Sequence, residues 1–523
     1  MIDTDQIMSG NLLTEAVFTP AGQGGNALTL PGLMAAMARG EVQGLTRMRP
    51  HQRPAWHMFL VQLAALALWT AGREEPPGDE TEWAALLRGL TPDFEGDAPW
   101  CLAVTDRTKP AFLQPPDPGE LKWSPVPTPD ALDMVITSRN HDLKTRVAME
   151  NHPQDWVFAL VSLQTMEGFG GAGNYGIARM NGGSSSRPIL GLAPAGRDAH
   201  SVDESLWWQR DVHQLLTNRA AGAAVTPCTV GGTALVWLLD WPAKASLDPV
   251  SLDPWFIEIC RHIRLWPDRG GYRAERATSK GTRIQAKAFK GVLFEPWGPV
   301  HRTENKLLTV GDRDFNYRLL HQLLFGGDWD APLLARHHAD DPDDMVLVAE
   351  AFSRGNSKTD GFRSRLVPVS RKVVRRVLGT EARNLSEQQM EDIADVSKAL
   401  RWGLAMMACG GRDEGPSKDA YAAAQPAQIA FDRVVDGLFF PALWAQLEVA
   451  GGTLSERAAA RRGFTDQLKV AARRCFEDAL PGVTCPSIYR PRAEARAWRA
   501  FEGALRKINA SQQGTGGASD DAA

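Results

Sequence analysis

From about Ser370 the chain holds four stretches with apolar residues at helical spacing, each closed by glycines or another break. Few folds other than a helical bundle can bury four such stripes at once. Met390, Ile393, Val396, Leu400, Leu404 and Met407 form the first stripe, and Gly410-Gly411 stops it. Ser386-Glu-Gln-Gln389 in front of that stripe reads as a capping box starting the helix. The second stripe runs through Ile429, Val434, Leu438, Leu443 and Leu447 to Gly451-Gly452. A third helix is predicted over 454–479 and a fourth over 493–508. Short breaks between amphipathic helices predict an antiparallel four-helix bundle over residues 370–510. Residues 511–523 are rich in Gly, Ser, Gln and Asp and read as a disordered tail.

Residues 1–369 have a different texture. Thr226–Leu239 and Asp344–Ala349 read as strands, Pro115–Pro129 as loop, and Met58–Trp69 as a buried helix too short to span a bilayer. With 523 residues, the chain exceeds what one core serves. The expected class is α+β: a large mixed N-terminal domain (1–369) with irregular sheets and loops, followed by the C-terminal antiparallel four-helix bundle.

The N-terminal part contains a glycine-dense segment, Gly168-Phe-Gly-Gly-Ala-Gly-Asn-Tyr-Gly176, running on to Asn181-Gly-Gly-Ser-Ser-Ser186. Backbone without Cβ atoms can adopt positive φ and lie against a flat or narrow surface. A phosphate, a nucleotide and a DNA groove all fit that description, as does a plain flexible surface loop. Gly168, Gly170 and Gly173 satisfy G-x-G-x-x-G, but Asn174–Ser186 does not read as the helix a dinucleotide site needs. Asp155–Gln164 before it reads as either strand or helix.

Net charge is −4, so nucleic-acid contact must come from local patches. Seventeen Trp residues suit cores, interfaces and base stacking alike. The six cysteines form no C-x-x-C, which predicts free thiols in a cytoplasmic protein with no zinc site. No cofactor or metal is expected. In the bundle, Arg457, Arg461, Lys469 and Arg473 lie near one helix face, and Arg492, Arg496, Arg499 and Arg506 near another. Each stripe can track a phosphate backbone or be a solvated face neutralised by Glu456, Asp466 and Glu494. His337-His-Ala-Asp-Asp-Pro-Asp-Asp344 raises the alternative of a metal-dependent nuclease, although Pro342 and the clustered polarity suit an acidic loop better.

Leu252-Asp-Pro-Trp-Phe-Ile-Glu-Ile-Cys-Arg-His-Ile-Arg-Leu265, Ala277-Thr-Ser-Lys-Gly-Thr-Arg-Ile-Gln-Ala-Lys287 and Glu295-Pro-Trp-Gly-Pro-Val300 together resemble the CasA family, the large subunits of type I-E CRISPR Cascade complexes. Phe112-Leu-Gln114, the Gly168 loop, Arg354-Gly-Asn-Ser-Lys-Thr-Asp-Gly361 and the bundle agree in order. The resemblance implies a non-catalytic subunit. Such a subunit recognises the PAM in double-stranded target DNA, starts unwinding, helps hold the displaced strand and recruits a helicase–nuclease. A variant system recruiting another effector is the second implied alternative. The implied partners are the other Cascade subunits, the guide RNA, target DNA and the helicase–nuclease, with no membrane. The implied PAM contacts are Gly168, Phe169, Gly170 and Gly171, a lysine on a strand (Lys287, with Lys290 and Lys280 as neighbours), and a wedge hairpin at Asn356, Ser357, Lys358 and Thr359. The family's wedge glutamine has no counterpart at the matching place. Arg139 and Asn140 are the implied guide-RNA-side residues, and the bundle cations the implied displaced-strand contacts.

Overall fold

The computed structural model describes residues 8–22, 25–117, 119, 121–133, 151–183, 185–198, 200–222, 227–242, 244–268, 271–355 and 358–514. The side chains of 8, 353–355, 358–360 and 509–514 are outside that description. The chain divides into two units, residues 1–315 with 328–368, and residues 316–327 with 369–523.

The first unit is built around a buried helix. Its elements are β1 (Met8–Asn11), α1 (Leu30–Ala38), α2 (Arg53–Thr70), α3 (Glu80–Arg88), β2 (Cys101–Val104), β3 (Ser124–Val126), α4 (Pro153–Met166), β4 (Ile189–Pro194), α5 (Glu204–Ala220), β5 (Thr233–Leu235), β6 (Leu252–Ile257), β7 (His262–Asp268) and β8 (Gly271–Ala277). Then follow β9 (Val300–His301), β10 (Lys306–Leu307), β11 (Trp329–Asp330), β12 (Met345–Gly355) and β13 (Lys358–Val369). Helix α2 is buried from Pro54 to Leu68 and apolar there except for His57 and Gln62, whose side chains bond Asp211 and the Trp255 and Phe256 carbonyls. Fully buried Trp156, Trp207, Trp237 and Trp255 belong to the core around it, so these indoles pack rather than stack on bases.

The sheets are small. Their strand orders are β1-β2, β10-β9-β11, β13-β12-β4, β3-β8-β7 and β5-β6. The pairs β1-β2, β10-β9, β9-β11, β12-β4, β3-β8 and β7-β8 are antiparallel, and β5-β6 is parallel. Among the described residues of the 226–239 stretch, Thr233–Leu235 alone forms a strand, before a 3₁₀ turn at Val236–Leu238, which is less strand than the composition predicts. The chain turns at the preceding Gly231, at φ 83°, and a Cβ on Gly232 would lie 2.6 Å from the Ser251 carbonyl oxygen.

The second unit is the bundle: α7 (Thr380–Ala408), α8 (Gln425–Glu448), α9 (Leu454–Ala479) and α10 (Arg490–Gly514), joined by α6 (Tyr317–Leu324). The α6 segment lies inside the 1–369 stretch of the sequence but packs with the bundle. Its Tyr317 hydroxyl donates to Asp432 at 2.9 Å, and its His321 ring bonds the Ser386 hydroxyl at 2.6 Å. That second contact corrects the capping box expected at Ser386. The helix starts six residues earlier at Thr380, and Ser386 and Gln389 are buried within it. A capping box does stand at Thr453, whose hydroxyl accepts from Glu456 N while the Glu456 carboxylate accepts from Thr453 N. On α8 the buried stripe is Phe431, Val435, Phe439, Leu443 and Leu447, and Ile429 and Val434 are exposed. The aromatic rings set the face there, because they bury more area than Ile or Val.

Candidate nucleic-acid interface

Helix α4 ends at Met166, and the glycine segment begins two residues later. A helix before Gly168, and none after it, rules out the dinucleotide arrangement, which needs a strand before and a helix after. The segment is a folded loop. Phe169 N donates to the Gly183 carbonyl (2.8 Å), Gly170 N to Asn174 O (2.8 Å) and Ile177 N to Glu167 O (2.9 Å). Its mouth is held by Arg261, whose guanidinium donates to the Gly168 carbonyl at 2.9 Å.

The glycines fall into two groups by what a Cβ would meet. At Gly168 it would lie 2.0 Å from the Ser185 carbonyl oxygen, at Gly173 2.6 Å from the Thr278 side chain, and at Gly176 2.6 Å from Gly168 C. The fold itself demands those three. At Gly171 (φ 116°), Gly182 (φ 61°) and Gly183 (φ 74°) nothing of the protein lies within 4 Å. At Gly170 the contacts would be ordinary ones of 3.4 Å, to Arg261 and Asn174. Gly170, Gly182 and Gly183, with the Phe169 ring, are therefore an open surface of bare backbone.

Three further elements are tied to this loop. Ser279 N donates to the Gly173 carbonyl at 3.0 Å, which puts exposed Lys280 one residue from the loop. A Cβ on Gly291 would sit 2.7 Å from Met180 C, so the turn carrying Lys287 and Lys290 packs against the loop's second half. Phe352 N on β12 donates to the Ser186 hydroxyl at 2.7 Å, which anchors the β12–β13 hairpin to the loop's end. The resemblance implied a strand position for Lys287; it stands in a 3₁₀ turn, Lys287–Phe289, exposed to solvent. Among the described residues, the segment 278–286 before it forms a single bridge, Leu247 to Ile284, and left-handed Lys290 and Gly291 turn the chain away. The Lys290 amine donates to the Glu304 carbonyl at 3.0 Å. Asn356 and Ser357 lie outside the described residues, and Lys358 and Thr359 open β13 without described side chains. Arg139 and Asn140 also lie outside the described residues.

The bundle cations divide as the glycines do. Arg461 grips buried Asp392 with two hydrogen bonds (3.0 and 2.7 Å), and Arg473 grips Glu502 likewise (2.6 and 3.0 Å). Lys469 is buried, 3.7 Å from Asp466. Arg492 donates to the Gly410 carbonyl, and Arg496 to Gly411 O and Asp413. These five fasten the bundle, whereas Arg457, Arg499 and Arg506 face solvent. Helical spacing alone cannot separate the two roles, because both sets repeat every turn.

The His337–Asp344 stretch is not assembled as a ligand set. Asp341 is buried in a two-pronged pair with Arg210 (2.8 and 3.0 Å), while Asp340 points to solvent, 3.6 Å from His213. Among the described residues no cluster of three or more His, Cys, Asp or Glu is placed to hold a metal. The six cysteines are unpaired. Among the described residues no helix is long and apolar enough to cross a membrane.

No protein-family model and no curated protein matches the chain. Solved structures do. CasA (Cse1) from Thermus thermophilus aligns at TM-score 0.62 and 15% identity, covering 96% of this chain and 100% of that one. Cse1 from Acidimicrobium ferrooxidans aligns at 0.63 and 16%, covering 96% and 99%. Cse1 from Thermobifida fusca aligns at 0.62 and 14%, covering 97% and 99%. At this identity the likeness is one of fold, extending over nearly the whole of both chains.

Proposed function

We propose that this chain is the non-catalytic large subunit of an RNA-guided Cascade complex, working with the other subunits and the guide RNA in the cytoplasm. The observation that carries the reading is convergence. The open glycine backbone, the lysines at 280, 287 and 290, and the β12–β13 hairpin are tied together inside one unit by Ser279–Gly173, Gly291–Met180 and Phe352–Ser186 contacts. The fold shared with CasA (Cse1) structures supports it from a second side.

The division of labour follows from physical chemistry. A minor groove is too narrow for most side chains and reports mainly A·T against G·C. Bare backbone at Gly170 and Gly171 can approach it closely. Lysine amines reach a base-edge acceptor or a phosphate from its walls. The β12–β13 hairpin, with the stretch from Asn356 to Thr359 as its proposed wedge, separates the first base pair at a cost of a few kcal/mol. Sequence identity beyond the PAM is then left to guide-RNA pairing. Arg457 and Arg499 on the bundle follow the displaced strand, and the chain recruits a helicase–nuclease rather than cutting DNA itself.

The test is target binding by the assembled guide-RNA complex with and without this chain, across a randomised PAM library at fixed salt. PAM-dependent binding that requires the chain, and that Gly170→Asp abolishes, is the expected result. Equal binding without the chain would remove the reading.

A further inference from the structure

Behind the glycine loop lies a polar cavity of about 160 Å³, lined by Glu167, Gly170, Asn174, Arg261 and Arg276 among others. Most arginines in this neighbourhood are consumed by the fold. Arg261 holds Gly168 O and Cys260 O, Arg264 holds Val104 O and Asp106 O, and Arg107 pairs with Glu275 and Asp117. The Arg276 side chain has no hydrogen bond or ion pair among the described residues, and it is exposed.

Its register makes that position informative. On β8, Tyr272, Ala274 and Arg276 share one face, because side chains alternate along a strand. Tyr272 and Ala274 are buried on it, so Arg276 emerges from the core-facing side where the core gives way to the cavity under Gly170. The Glu167 carboxylate in the same cavity is buried 3.9 Å from the Arg261 guanidinium, which offsets its charge. A guanidinium left unspent beside bare backbone matches a phosphodiester, which it can bind with two parallel hydrogen bonds.

We infer that Arg276 holds a backbone phosphate of the DNA duplex whose groove lies on Gly170 and Gly171. This rests on the proposed function and adds a contact that positions the duplex without reading bases.

The experiment measures affinity of the assembled guide-RNA complex for short PAM-bearing duplexes over a salt series. Arg276→Gln, Arg276→Lys and Gly170→Asp are compared with the unaltered chain. Arg276→Gln should weaken binding about threefold to tenfold for every PAM alike and lower the salt slope by about 0.9. Arg276→Lys should keep the slope, since it keeps the charge. If Gly170→Asp abolishes PAM-dependent binding while Arg276→Gln leaves the slope unchanged, the inference falls and the functional reading stands. A changed PAM preference in Arg276→Gln would overturn the phosphate assignment. If Gly170→Asp also binds as the unaltered chain does, the functional reading falls with the inference.

Discussion

The Arg261 guanidinium donates to the Gly168 carbonyl at 2.9 Å, and this contact fixes the mouth of the glycine loop to the strand beside it. Arg261 is itself immobilised. The Gln164 side-chain oxygen accepts from Cys260 N and Arg261 N, both at 2.9 Å, and its amide donates to Arg261 O and Leu113 O. Helix α4 thus transmits its rigidity through Gln164 and Arg261 to a segment in which five of nine residues, 168–176, are glycine. A loop rich in glycine loses more entropy on ordering than any other, and such fixed hydrogen bonds compensate for it.

Arg261→Met should therefore loosen the loop before it loosens the fold. Amide hydrogen exchange over 169–174 is expected to quicken by roughly tenfold, the equivalent of one hydrogen bond of about 1.4 kcal/mol. Exchange in α7 of the other unit should not change. Arg261→Lys should restore only part of the protection, because an ammonium lacks the planar fork. Unaltered exchange at Phe169 and Gly170 in Arg261→Met would show that the loop is held by other means.

The two groups of glycines predict opposite outcomes for the same substitution. Gly176→Ala and Gly173→Ala each force a methyl to within 3 Å of the Gly168 backbone or the Thr278 side chain, and Gly173 is also at φ 81°. Each should cost about 1–3 kcal/mol in urea unfolding of the first unit. Gly170→Ala meets only contacts of 3.4 Å or more and should stay within about 0.5 kcal/mol of the unaltered chain. Equal losses at Gly170 and Gly176 would mean that the loop has no open side.

Much of this is legible in the amino-acid sequence. The bundle followed from four apolar stripes, and α2 from a long, mostly apolar run, because periodicity and length are written directly in the sequence. The exact faces were less legible. Ile429 and Val434 sit on the α8 stripe by hydrophobicity, yet Phe431 and Phe439 take the core. Among the candidate site residues, the sequence could mark glycines and cations but could not say which were already spent. Gly173 and Gly171 look alike in sequence, as do Arg461 and Arg457. Only long-range partners such as Thr278 and Asp392 separate them. Arg276 left no signal, since its role depends on which strand face meets a cavity.

That distinction in the bundle is testable. Arg461→Gln removes two hydrogen bonds from buried Asp392 and should destabilise the second unit by roughly 1–3 kcal/mol in thermal or urea unfolding. Arg457→Gln alters an exposed side chain and should change stability by less than about 0.5 kcal/mol. Their effects on displaced-strand affinity should be reversed, with Arg457→Gln lowering the salt slope of the intact complex. A stability loss in Arg457→Gln as large as that in Arg461→Gln would contradict the division.

His262 gives the first unit an acid-sensitive stability. Its ring stacks on Trp241 with centroids 4.0 Å apart, and its Nε2 is buried with no hydrogen-bond partner among the described residues. Burial, reinforced by the nearby Arg283 charge and opposed by Asp117, pushes its pKa from 6.5 down to about 4. The folded state therefore keeps the ring neutral where the unfolded chain binds a proton. The stability this provides is complete above 6.5 and is lost as pH falls through about 4, a change of about 3 kcal/mol. Glu204 works the other way. Burial raises its pKa from 4.5 to about 7, so its contribution is complete below 4.5 and declines as pH rises through 7. The two slopes overlap and oppose each other, and the pH profile of the unaltered chain cannot separate them. His262→Phe can, since it preserves the stack on Trp241 and removes the titrating ring. Its unfolding midpoint relative to the unaltered chain should rise steadily as pH is lowered from 6.5 to 4. A constant difference across that range would mean that His262 titrates equally in the folded and unfolded states.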